Sequence, residues 1–70
     1  MRYYVMSIQH NKEAGSENRT APKAFDNKNE AIKAFHAALS ADMGNPILDW
    51  SFCMVINSDM EIERAEKWIA

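Results

Sequence analysis

From Ile47 to Asn57 every second residue is large and apolar: Leu48, Trp50, Phe52, Met54 and Ile56. The interleaved Asp49, Ser51, Cys53, Val55 and Asn57 are smaller and mostly polar. A period of two predicts a strand with one face against a core and the other half wet. Arg2–Gln9 reads as a first strand, with Tyr4, Met6 and Ile8 on one face and Tyr3, Val5 and Ser7 on the other. Apolar weight on both of its faces suits a central position.

Between His10 and Lys23 the chain is polar and irregular, and Gly15-Ser16 marks a turn. A connection of this length is unusual without structure of its own. Arg19–Phe25 is therefore expected to return as a short strand, with Pro22 confining it to an edge. Asp26 or Asn27 can cap the helix that follows, and Glu30 lies in its first turn. Helical spacing aligns Ile32, Phe35, Leu39 and Met43, flanked by Ala31, Ala38 and His36. Gly44 is placed to end the helix in a left-handed conformation, and Pro46 stops its continuation. Residues 60–69 read two ways. Ser58-Asp59-Met60-Glu61 resembles a helix capping box, whereas a long amphipathic strand needs a pairing partner and favours a closing hairpin.

These elements predict one α+β domain over residues 1–70. It is a two-layer sandwich, an antiparallel sheet of three or four strands with one helix on one face, in the order β-(β)-α-β-β. The bulky side of 48–56 is expected beneath the helix. The reverse of the sheet would then carry Tyr3, Val5, Cys53, Val55 and Ala65, and with them Ile69, mixed with Asp49, Ser51 and Lys67. That face has more apolar content than a solvated one needs, which marks Tyr3, Val5, Cys53, Val55 and Ala65 as an interaction surface.

Seventy residues supply a thin core, and the single cysteine rules out an internal disulfide. Self-association is the support left open, so a homo-oligomer or a protein partner is expected. Net charge is −2, and the eight basic residues are dispersed among ten acidic ones. Phosphate neutralisation drives non-specific nucleic-acid affinity, so this balance disfavours that class. The nucleic-acid alternative would use Arg2, Lys12, Arg19 and Lys23. Tyr3, Tyr4, Trp50, Phe52 and Trp68 could build a base-stacking platform, but Trp50 and Phe52 alternate in phase with Leu48, Met54 and Ile56, which points to core packing beneath the helix instead. No long apolar stretch spans a membrane, and the N-terminus lacks a signal peptide's apolar core, so the chain reads as cytoplasmic. Asn18-Arg19-Thr20 matches a glycosylation pattern, which without an export signal is read as chance.

Candidate chemistry is sparse. Cys53 sits mid-strand with Asp49 nearby, and a carboxylate raises a thiol's pKa instead of activating it. His10 has Glu13 three residues on, which is too few ligands for a metal site, and His36 borders the helix stripe. Glu61, Glu63 and Glu66 read as a solvated face, without the contrasting environments that acid–base pairs need. No phosphate loop, catalytic triad order or HExxH is present. The sequence thus predicts no enzyme, no cofactor and no metal.

Three segments, RYYVMSIQ, KAFHAALSADMGN and CMVINSDMEIERAEKW, together resemble small uncharacterised proteins encoded in prophage and other mobile-element regions of Gram-positive gut bacteria. The matching positions are Tyr3, Tyr4 and Val5; Ala31, Phe35 and His36; and Glu66, Lys67 and Trp68. The resemblance implies a strand–helix–hairpin fold and a setting, and no activity. The chain departs from that pattern in the final turn, where Ser58-Asp59-Met60 stands in place of a glycine.

Overall fold

The computed structural model describes every residue from Met1 to Ala70. Five strands and one helix follow in order: β1 (Tyr3–Asn11), β2 (Ser16–Arg19), β3 (Lys23–Phe25), α1 (Lys28–Met43), β4 (Leu48–Asn57) and β5 (Ile62–Ile69). The sheet is antiparallel throughout, with order β2-β1-β4-β5, and β3 runs beside β1 along the edge that β2 starts. This is the expected two-layer α+β architecture. The extra strand arises because the returning segment is broken at Thr20–Pro22. Proline has no N–H to give the ladder. The gap is bridged by Thr20, whose N–H donates to the Ser7 carbonyl (3.0 Å) and whose Oγ1 accepts from the Ser7 N–H (2.9 Å).

The 60–69 segment is the strand of a hairpin and not a helix. Asn57 fixes its turn: Oδ1 accepts from the N–H of Asp59 (2.9 Å) and of Glu61 (3.1 Å). Met60 takes the left-handed conformation, at φ 66. A glycine would sit there without cost, and this is the glycine whose absence the sequence displays.

Asn27 is the helix cap, its Oδ1 accepting from the N–H of Asn29 and Glu30. The other end differs from expectation. Gly44 remains right-handed, at φ −88, and Asn45 turns the chain by accepting the Ile47 N–H on its own side chain (3.2 Å). The helix is also rotated relative to the predicted stripe. Ala31, Phe35 and Asp42 are buried with Ala34, Ala38 and Leu39 beside them, while Met43 is exposed.

The largest departure concerns which sheet face α1 covers. The core consists of Val5, Ala31, Phe35, Cys53 and Val55, with Cys53 and Val55 fully buried. The helix therefore lies on the small-residue side. Of the proposed interaction surface, Val5, Cys53 and Val55 are interior, and Tyr3 packs against them. Only Ala65 is exposed and on the reverse side. Two physical reasons account for the inversion. Half of the inward face of α1 is alanine (Ala31, Ala34 and Ala38), so it settles closely over small strand residues. Two polar members of that face are also satisfied inside the fold, Ser7 by Thr20 and Asn57 by its own turn and the Glu63 carboxylate (2.9 Å), and the third, Ser51, is small enough to be buried with its hydroxyl unpaired.

Candidate interaction face

Strand alternation sends Tyr4, Met6, Ile8 and His10 of β1 to the side away from the helix. Cross-strand pairing lines them up with Ile56, Met54, Phe52 and Trp50 of β4. β5 adds Ile62, Ala65, Lys67 and Ile69, paired with Ile56, Met54, Phe52 and Trp50. The β1 and β4 side chains are half-buried by one another, whereas Ile62 and Ile69 are 63% and 68% exposed. No element of the chain lies over this face. A shallow groove of about 210 Å³ crosses it, lined by Met6, Ile8, Arg19, Thr20, Phe52 and Met54.

Leu48 shows how the strand divides its bulky residues. The pairing of β1 with β4 slips between His10 and Asn11, so that His10 faces Trp50 while Asn11 faces Leu48. Asp49 is the extra residue of this bulge. Leu48 is buried, while Trp50, Phe52, Met54 and Ile56 stay on the open side. At this end His10 stacks on Trp50 (5.6 Å between centroids, 4° between planes), and the Lys67 ammonium lies 5.3 Å from the same ring. His10 Nδ1 meets Asp49 Oδ1 at 2.6 Å, and this hydrogen bond holds the Asp49 carboxyl below its ordinary pKa.

The aromatic residues split between the layers. Tyr4, Trp50 and Phe52 share the open face, whereas Tyr3 and Trp68 pair across positions on the helix side. The four basic residues of the nucleic-acid alternative do not gather. Arg2 pairs with Asp26 (3.2 Å) and Arg19 approaches Glu17 (3.7 Å). Lys23 covers the Phe25 ring, and Lys12 lies past the far end of β1.

On the covered side, Asp42 is a polar residue that the sequence reading missed. It is 4% exposed, accepts from the Gln9 side-chain amide, and receives the Cys53 thiol at 3.6 Å. Its spacing from Ala31, Phe35 and Ala38 was the available signal. Burial first, and then the Asp42 charge, push the Cys53 thiol up to about 11, which makes it a poor nucleophile. Glu63 is not simply solvated either. The Lys28 ammonium at 3.0 Å, with Asn57, holds its carboxyl below the usual range. His36 is exposed, edge-on to Phe35. No group of three His, Cys, Asp or Glu side chains comes together as metal ligands, and no helix is long and apolar enough to cross a membrane. Neither a protein-family model, nor a curated protein, nor a solved structure matches the chain.

Proposed function

We propose that the protein is a small non-catalytic interaction module whose binding surface is the open sheet face of β1, β4 and β5. One observation carries the reading: Tyr4, Met6, Ile8, Trp50, Phe52, Met54 and Ile56 share one sheet face that no part of the chain covers. Contiguous apolar surface of this kind marks binding sites on soluble domains. The surface lies on the opposite side of the sheet from Tyr3, Val5, Cys53 and Val55, which the sequence suggested, and keeps only Ala65 of that set. Service to a phage or mobile element, as an accessory factor, rests on the resemblance of the strand, helix and hairpin segments alone.

The test is a pair of variants that leave the core untouched. Phe52→Ser with Met54→Thr should keep the circular dichroism spectrum while abolishing association, whether with itself or with another protein. Lys33→Glu, on the exposed helix surface, should change neither. Retained association in the double variant would refute the assignment.

A second reading draws on the same face. Tyr4, Trp50 and Phe52 with Arg19 and Lys67 nearby have the composition of a stacking platform for single-stranded nucleic acid. Glu17 on the same edge and the net charge of −2 weigh against it. Unchanged tryptophan fluorescence on adding single-stranded DNA or RNA at low salt would remove it.

A further inference from the structure

We infer that the occupant of the open face is the same face of a second copy, giving a two-fold dimer of stacked sheets with both helices outermost. The inference rests on the reading of that face as the binding surface.

Three observations favour a second copy. The first is the imbalance between the layers. Only ten of seventy residues are buried, and the largest side chains buried completely are Val55, Cys53 and Ser51. The large side chains of the two central strands lie mostly on the other side. A sheet with a single helix over its small face has placed its main apolar content outside its own core, and small domains in this position commonly associate. A second copy is the one covering layer that synthesis of this chain always supplies.

The second is area. The nine, four, ten and eight residues of β1, β2, β4 and β5, at roughly 3.3 Å along a strand and roughly 4.8 Å across it, give a footprint on the order of 500 Å². The molecule's extents of 39 × 18 × 15 Å accommodate such a face. Two copies then bury on the order of 1,000 Å², about the size at which a biological interface begins. The sheets would stack about 10 Å apart, with their large side chains interdigitated.

The third is charge. A face that meets itself must not carry one dominant sign. Here Glu17 and Arg19 adjoin on the β2 edge, and Lys67 on β5 is drawn over Trp50. The centre of the face is uncharged, with Met6 opposite Met54 and Ile8 opposite Phe52. Central residues of a two-fold interface lie close to their own counterparts.

The experiment combines sedimentation equilibrium of the full chain with short bis-maleimide cross-linking of cysteine variants. Native Cys53 is buried and stays unlabelled, so each introduced thiol reports alone. The expected mass is that of two chains. Met54→Cys should link to itself, while Lys33→Cys on the helix and Arg64→Cys on the outer strand should not. Phe52→Asp should weaken the dimer by ~30-fold or more, the loss typical of a central anchor. If that variant fails to fold, the Met54→Cys link still decides the matter, since methionine to cysteine leaves the core intact. A monomer at every concentration overturns the inference, and if Phe52→Ser/Met54→Thr then loses binding to a different protein, the binding-face reading survives without it. A dimer linked through Arg64→Cys and not Met54→Cys pairs by its edge and overturns the inference.

Discussion

The two faces of the sheet are built from opposite materials. Beneath the helix lie Val5, Ser7, Ser51, Cys53, Val55 and Asn57, and these are small or hydrogen-bonded. On the far side lie Tyr4, Met6, Ile8, Trp50, Phe52, Met54 and Ile56, which are large and mostly apolar. The covered face needs little volume because a helix lined by Ala31, Ala34 and Ala38 comes close to it, with Phe35 its largest inward side chain and Leu39 beside it. Side-chain bulk therefore does not identify the interior of a two-layer domain. The complementarity of the covering element does.

Phe35→Ala tests the covered layer most severely. Removing a buried phenylalanine costs about 3–5 kcal/mol. A core of this size supplies about 3–5 kcal/mol in total. The variant should be unfolded at room temperature by circular dichroism and amide dispersion. Phe52→Ala, on the open face, should stay folded under the same conditions and lose association. Equal damage from the two would erase the distinction between the faces.

Asn57→Ala comes next. It removes the acceptor for two turn N–H groups and a donor to Glu63, and a loss of about 1–3 kcal/mol should appear as a lower urea midpoint.

Acid should separate the faces more gently. Glu63 on the helix side and Asp49 at the open side both have lowered carboxyl pKa values, the first chiefly through Lys28 and the second through His10. A depressed folded-state pKa contributes stability that is present above the ordinary carboxylate range and is lost as pH falls through the folded value. Urea midpoints should therefore drop on acidification. Glu63→Gln and Asp49→Asn should each flatten part of that slope, and a slope unchanged in both would contradict the assignment.

Met60→Gly should give the smallest effect, a gain of up to about 1 kcal/mol, because glycine takes the left-handed turn position without strain. It should raise Tm while leaving association alone.

Much of this architecture was readable before any coordinates. Alternation marked β1 and β4, capping residues marked the start of α1, and Pro22 placed the returning segment at an edge. The hairpin at 57–61 was legible as one of two readings, and the Asn57 side chain decided it. What misled was polarity. Ser51 and Asn57 read as wet, yet both are buried, and Asn57's bonds to its own turn depend on geometry that a linear string does not display. Asp42 was hidden for a related reason: only the rotation of α1 by about one position brings its carboxylate over Cys53 and Gln9. The interaction surface followed the covered face, so one inverted assignment moved most of its residues.

The interruption at Thr20–Pro22 has a consequence for crowded solutions. An incoming strand needs an unbroken row of donors and acceptors to extend a sheet sideways. On the β2–β3 border that row is broken between Arg19 and Lys23, where Pro22 interrupts the two short strands. Only the β5 border is left to receive a neighbour, so any one sheet stops widening after a single joining. Concentrated protein should therefore contain sheets no wider than two copies.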